Sequence, residues 1–196
     1  MKLILASTSP YRRELLGRLG LPFETASPGV DESPQPGETP QRLVERLACA
    51  KAEAVAAAEP EALVIGSDQV AVCEGRVLGK PGDHAAAVEQ LRNASGRTVT
   101  FYTGLCLINT ARGTRQQCVE PFWVVFRELT GEQIESYLER EQPYDCAGSF
   151  KSEGLGIALF RRMEGHDPSA LMGLPLIRLV AMLEAEGVDV LGGRLQ

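Results

Sequence analysis

The sequence predicts an α/β fold, a mixed twisted sheet flanked by helices. Three observations carry it. Short apolar runs at Leu3–Ala6 and Ala62–Ile65 have strand length and are bounded by polar turn formers. Segments with helical stripes and helix start signals alternate with them. Two long segments with β-branched alternation, Arg97–Ile108 and Gln116–Arg127, face each other across a turn-like stretch from Asn109 to Thr114 and predict an antiparallel pair.

Taken in order, Leu3–Ala6 is the first buried-type strand. Ser9-Pro10 then opens a helix, with Ser9 as N-cap and Pro10 at the first helical position. Leu15, Leu16 and Leu19 form its apolar stripe and Gly20 stops it. Ser27 to Pro40 carries Pro28, Pro34, Pro36, Pro40, Gly29 and Gly37, and reads as a long surface excursion of the kind that often serves function. Thr39-Pro40 repeats the start signal for a helix to about Ala58. The strand at Ala62–Ile65 leads into a polar Gly66-Ser67-Asp68-Gln69, followed by a second strand at Val70–Cys73 and a tight reversal at Glu74-Gly75. His84 to Ala94 is helical. Thr130-Gly-Glu-Gln133 fits a capping box for a helix to about Arg140, and a last helix runs from about Pro175 to Glu186 with Gly187 as its stop.

A chain of 196 residues and 21.2 kDa fits one domain, or two lobes sharing a core. With 44% hydrophobic and 23% charged residues it is ordinary globular material, which excludes disorder. The net charge of −6 and pI near 5.1 give no broad positive field for DNA, RNA or an anionic membrane. Charge is segregated, however. Residues 1–20 hold Lys2, Arg12, Arg13 and Arg18 against Glu14, a balance of +3; residues 24–38 hold Glu24, Asp31, Glu32 and Glu38, a balance of −4. That pattern suits a small polyanion and the cation that accompanies it. Five cysteines contain no Cys-x-x-Cys pair, so zinc-finger spacing is excluded and a reduced, intracellular chain is expected. The first apolar run is too short for a signal segment and no stretch reaches membrane-spanning length, so the cytoplasm is the expected address.

Several segments could carry chemistry. At Ser7-Thr-Ser9-Pro-Tyr11-Arg12-Arg13 a strand meets a helix N-terminus. Backbone N–H groups, hydroxyls and guanidinium forks there could hold phosphate oxygens, although a capped surface helix with solvated arginines has the same pattern. Asp68, just past an apolar strand, could hold a hard cation or accept a proton from water, or could simply cap a turn. Gly79-Lys80-Pro81 offers a close backbone and a point charge, and Lys51 offers another in an alanine-rich helix. Asp31-Glu32 could ligate a divalent ion. Cys146 to Gly156 is a glycine-rich loop with Lys151 and Glu153, and lacks dinucleotide-fingerprint spacing. His84 and His166 have no visible nucleophile partner, and the cysteines read as core fillers.

Together, Ser7-x-Ser9-Pro-x-Arg12-Arg13, Asp31-Glu32, Lys51, Gly66-Ser67-Asp68-Gln69-Val70, Gly79-Lys80-Pro81 and Gly96…Thr103-Gly104 resemble the Maf family. The resemblance runs from Leu3 to about Glu186. It implies a cytoplasmic nucleoside triphosphate pyrophosphatase, in a family once described as septum-formation inhibitors. The implied fold is the inosine triphosphate pyrophosphatase-like one, with two lobes around a central cleft and residues 1–196 as a single Maf-like domain. Phe101-Tyr-Thr-Gly104, Glu120-Pro-Phe122 and Cys146-Ala-Gly-Ser-Phe-Lys-Ser-Glu-Gly154 are similar to the 7-methyl-GTP pyrophosphatase branch. That branch usually has Trp where this chain has Tyr11, which still offers an aromatic face.

The resemblance maps the general base onto Asp68 and base selection onto Tyr11, Gln69 and Glu153. Phosphate binding falls to Ser7, Arg12, Arg13, Lys51 and Lys80. A divalent metal, Mg²⁺ or Mn²⁺, is expected on Asp68, with Glu32 as second carboxylate. The expected partner is a small nucleotide, with no nucleic acid, no membrane and a possible homodimer. The rival readings are a UTP/dTTP or broader nucleotide pyrophosphatase, and a non-catalytic nucleotide-binding regulator of cell division.

Overall fold

The computed structural model describes residues 1–195 and contains a mixed sheet of seven strands. In chain order the elements are β1 (Lys2–Ala6), α1 (Pro10–Gly17), β2 (Glu24–Ala26), α2 (Pro40–Ala56), β3 (Ala62–Cys73), β4 (Arg76–Leu78), α3 (His84–Ala94), β5 (Thr98–Asn109), β6 (Thr114–Phe126), α4 (Gly131–Glu141), β7 (Phe160–Gly165) and α5 (Leu176–Ala185). Short 3₁₀ turns occupy Ala147–Ser149, Leu155–Leu159 and Pro168–Met172. The strand order is β2-β1-β3-β5-β6-β7, with β4 on β3. β1 runs parallel to β2 and β3, whereas β4 is antiparallel to β3 and β7 to β6.

The caps expected at Ser9 and Thr39 form, their side chains accepting from the backbone N–H of Arg12 and Arg42, and Asp83, not singled out beforehand, accepts from that of Ala86. Thr130 and Gln133 close a complete capping box. Two strands escaped the sequence reading: β2 is three residues long, and β7 carries arginine, glutamate and glycine in place of an apolar alternation.

One expectation is corrected. Gly66–Gln69 does not separate two strands, and Asp68 does not stand beyond a strand's end: β3 runs unbroken from Ala62 to Cys73. The polar tetrad stays in the sheet because each member is accommodated there. Gly66 has no side chain to place, the Ser67 hydroxyl reaches backbone carbonyls, and Lys51 lies against Asp68.

The chain divides into two compact units. The first holds residues 1–69, 103–120 and 167–196; the second holds 70–102 and 121–166. In the first unit the pleat sorts side chains to two faces. Leu3, Leu5, Leu63 and Ile65 pack with Leu15 and Leu16 of α1 and with Leu179 and Leu183 of α5. Ile4, Ala6, Val64 and Cys106 face Ala48, Ala52 and Val55 of α2. That second layer is thin because its residues are small. A Cβ at Gly66 would lie 2.1 Å from the Ala48 carbonyl oxygen, and one at Gly104 2.2 Å from that of Val44, so glycine is what lets α2 lie on β3 and β5. The turn between β5 and β6 is tied to the end of α5 by Glu186, which accepts from Asn109, Thr114 and Gln116.

The second unit packs around an aromatic cluster. Phe150 meets Phe101, Phe126 and Phe160 edge to face, with ring centroids 5.4, 5.6 and 4.8 Å away. No helix among the described residues is long and apolar enough to cross a membrane. All five cysteines are free thiols, and Cys49, Cys73 and Cys106 are buried as core fillers.

Candidate active site

In the first unit the chain brings four charges of opposite sign together. Close packing at Gly66 sets α2 against β3, and Lys51 on α2 meets Asp68 on β3. Lys51 Nζ lies 2.7 Å from Asp68 Oδ1 and 2.7 Å from Glu32 Oε1. Lys51 and Asp68 are only 5% and 7% exposed, whereas the Glu32 side chain reaches in from the open loop at 60%. Arg12 adds a second cation from the first turn of α1. Its Nε donates to the Gly173 carbonyl at 2.8 Å, and its charge is felt by Asp68.

Burial pushes the Asp68 carboxyl up from its ordinary value, opposed by the nearby Lys51 ammonium and Arg12 guanidinium. Burial likewise draws the Arg12 guanidinium down, opposed by Asp68 and Glu32. Arg12 nonetheless remains a cation at neutral pH. The result is a largely desolvated carboxylate with raised proton affinity beside two fixed positive charges.

The loop from Ser27 to Pro40 owes its order to residues the sequence reading passed over. Arg46 on α2 donates to both Glu38 carboxylate oxygens at 2.6 and 2.8 Å and to the Ser33 carbonyl at 3.1 Å. Those bonds hold Glu38 down at about 2. Asp31 turns onto the Ser33 amide at 2.9 Å instead of pairing with Glu32. An arginine eight residues beyond a glutamate, separated by a helix start, leaves no periodic signal to read.

Arg12 and Arg13 part company, because successive residues on a helix diverge by about 100°. Arg13 lines an open cavity of about 1010 Å³ beside α1, together with Ser7, Ser9 and Phe23. Ser7 is buried, and its hydroxyl accepts the Ser9 amide at 3.1 Å. Tyr11 is half-buried on the same helix.

Gln69 is held by its amide group. Its Nε2 lies 2.9 Å from Thr103 Oγ1, 2.8 Å from the Ala170 carbonyl and 3.2 Å from that of Leu171. Three acceptors around one nitrogen fix the amide's orientation and leave Oε1, an acceptor, as the atom able to read a substrate donor. Glu120, from the branch-like motif, is buried and takes Arg178 Nε of α5 at 3.0 Å.

In the second unit, Lys80 and Glu153 are exposed, on loops that are stitched together. Gly148 donates to the Gly79 carbonyl at 3.4 Å and Gly82 to that of Tyr144 at 3.0 Å. Gln90 bridges both loops, donating to Gly79 and accepting the Ser149 hydroxyl at 2.6 Å. The Glu153 loop is further fixed by Tyr137, whose hydroxyl accepts the Lys151 amide, and by Glu141, which accepts that of Leu155.

Sequence comparison now decides the family. The Maf-like protein model matches residues 2–186. This chain belongs to the Maf family. A 7-methyl-GTP pyrophosphatase of Nitrosococcus oceani is 62% identical over 189 residues, covering 96% of this chain and 95% of that protein. One of Pseudomonas aeruginosa is 59% identical, covering 96% and 98%. The Ham1 protein of Staphylococcus aureus shares the fold at a TM-score of 0.55 with 15% identity, covering 95% of this chain and all of that one. The mixed α/β architecture expected from the Maf resemblance is therefore borne out.

The donor set also bears on the metal expected for a Maf protein. Among the described residues no group of three or more His, Cys, Asp or Glu side chains converges, which rules against a closed, zinc-like cage there. Two carboxylates, Asp68 and Glu32, do converge on the point taken by the Lys51 ammonium. One or two carboxylates completed by water and substrate phosphates is the set that suits Mg²⁺.

Proposed function

We infer that this Maf protein is a hydrolase that cleaves 7-methyl-GTP into 7-methyl-GMP and pyrophosphate, clearing a modified nucleotide from the cytoplasmic pool. The observation that carries the chemistry is Asp68, a carboxylate of raised proton affinity set between Lys51 and the field of Arg12. The relatives that bear this name, at 62% and 59% identity over nearly the whole chain, support the substrate. Residues 1–196 work as one nucleotide-hydrolysing domain, without nucleic acid and as a possible homodimer.

In this reading phosphate binding falls to Ser7, Arg12, Arg13 and Lys51 of the first unit, with Lys80 of the second as a further phosphate-binding candidate. Their charges neutralise the triphosphate and favour the departing pyrophosphate. Water attacks the α-phosphorus: a new P–O bond forms, the bond to the bridging oxygen breaks, and Asp68 takes the water proton. A divalent ion on Asp68 and Glu32 would supply Lewis-acid polarisation of the phosphate oxygens. N7-methylation makes guanine cationic, which suits an aromatic face such as Tyr11 offers, and a carboxylate such as Glu153 could accept from the N1–H and N2–H₂ edge; the two are separate base-selecting candidates, one in each unit. Gln69 Oε1 is a further acceptor for that edge.

The test is pyrophosphate release from a panel of nucleoside triphosphates with Mg²⁺ or Mn²⁺. 7-Methyl-GTP is expected to give the highest kcat/KM, and Glu153→Gln to shrink its lead over GTP by about tenfold, the worth of one charge-assisted contact. Equal or better turnover of UTP would assign the chain to the broader-nucleotide reading. Binding without hydrolysis of any triphosphate would assign it to a regulatory role.

A further inference from the structure

Ser67 stands one residue before Asp68 on β3, so its side chain points to the opposite face of the strand. It is fully buried, and its Oγ lies 2.8 Å from the Gly104 carbonyl oxygen and 3.0 Å from that of Gly173. The Gly173 carbonyl is also the acceptor for Arg12 Nε, at 2.8 Å. The Ser67 hydroxyl carries one proton, shared between the Gly104 and Gly173 carbonyls, so the two lone pairs of the Gly173 oxygen face a shared hydroxyl and the guanidinium. We propose that Ser67 is a positioning residue for Arg12, acting through the Gly173 carbonyl to set the guanidinium for the polyphosphate of the substrate. The proposal rests on the reading of Arg12 as a phosphate ligand and deepens it.

The carbonyl is fixed on both sides along the chain. Upstream, the Thr103 hydroxyl donates to the Ala170 carbonyl at 2.9 Å, and Gln69 Nε2 spans Ala170 and Leu171. Further back, buried Asp167 accepts the Ser169 amide at 3.0 Å and the Ile177 amide at 2.7 Å, closing residues 167–177 into one hydrogen-bonded ring. Gly173 itself has φ of +102°, which only glycine adopts readily. A Cβ there would meet Arg12 Nε at 3.5 Å, an ordinary contact, so it is the backbone conformation that calls for glycine.

The physical need is plain. A free arginine loses rotamer entropy that a phosphate contact must overcome each time it forms. Anchoring Nε fixes the plane of the guanidinium and leaves its two terminal nitrogens as a preset fork for phosphate oxygens. Without the Ser67 hydroxyl, the Gly173 carbonyl loses one of the two groups that aim it, and Arg12 loses its stop.

The experiment is a double-mutant cycle on the full chain with two readouts: calorimetric binding of inorganic tripolyphosphate, and kcat and KM for 7-methyl-GTP. Ser67→Ala is expected to weaken tripolyphosphate binding and raise KM by about tenfold, with kcat within about twofold of wild type. In an Arg12→Ala background the same substitution is expected to add nothing. Ser67→Cys keeps the size and a weak donor, is expected to fall between, and replaces Ser67→Ala should that protein not melt cooperatively. An equal loss in both backgrounds, an unchanged affinity, or a wild-type protein that does not bind tripolyphosphate overturns the positioning role. If the cycle shows coupling while no nucleotide is hydrolysed, the proposed function fails and the positioning role stands. If 7-methyl-GTP is hydrolysed and the cycle is additive, the positioning role fails alone.

Discussion

The two units of this chain solve the same problem, holding functional side chains still, with opposite materials. The first fixes its charges with other charges and with carbonyls: Lys51 against Asp68 and Glu32, Arg46 against Glu38, Arg12 on Gly173. The second anchors the loop that carries Glu153 on Phe150 and its three ring neighbours, and leaves Lys80 and Glu153 exposed. Charges packed against one another are desolvated, and so acquire altered proton affinities suited to bond making and breaking. Exposed charges on an apolar footing stay hydrated and can adapt to a ligand. Chemistry is therefore expected to fail when Asp68 and its charged partners in the first unit are altered, and selectivity and stability when the aromatic footing of the second is.

The largest effect should come from Asp68→Asn. The amide keeps the shape but cannot take the water proton, so kcat is expected to fall by about a thousandfold, within the span of general-base contributions. Binding of 7-methyl-GTP should survive. The pH profile supplies a second reading. Because the Asp68 value is raised, the carboxylate needed as base is lost on acidification sooner than an ordinary aspartate, so the acid limb of kcat should lie above pH 3.8 in the wild type. Stopped assays across pH with both proteins check this, and hydrolysis unaltered by Asp68→Asn would remove Asp68 from the mechanism.

Phe150→Ala should strike the other unit. Phe150 is buried and meets three rings, so truncation leaves a cavity worth about 3 kcal/mol of stability. Urea unfolding should show it as a lower midpoint with unchanged slope. The Glu153 loop begins right after this residue, so KM for the methylated nucleotide should rise while kcat moves little. A large fall in kcat with KM intact would erase the distinction between the units.

Much of this arrangement was legible in the sequence, because caps and apolar periodicities are local. Ser9, Thr39 and the Thr130–Gln133 box announced three helices by chemistry confined to three or four residues. Asp68, Lys51, Arg12 and Glu32 could be named as candidates, and the structure brings them together in the first unit. What could not be read depends on separation along the chain. Arg46 takes Glu38 only because a loop folds back on α2, and Ser67 meets Gly173 across 106 residues. The unbroken β3 was hidden for the same reason: a Gly-Ser-Asp-Gln tetrad looks like a turn until distant partners satisfy it. β7 stayed invisible because its ladder to β6, not its own composition, makes it a strand.

The smallest effect is the one that separates the two materials most cleanly. Glu38 is held at about 2 in the folded chain, against 4.5 unperturbed, chiefly by its hydrogen bond to Arg46. Its folded value lies below its unfolded one, so its contribution to stability is present above pH about 4.5 and drains away as pH falls towards 2. Hydrogen exchange of residues 27–40, followed by mass spectrometry between pH 6 and 3, should show this loop opening on acidification. In Glu38→Gln the loop should already be loose at pH 6 and respond far less to acid. Phe150 and the 3₁₀ turn before it, packed on rings, should keep their protection over the same range in both proteins. If they open in step with the 27–40 loop, the chain unfolds as one body under acid and the contrast between charged and aromatic anchoring has no local consequence.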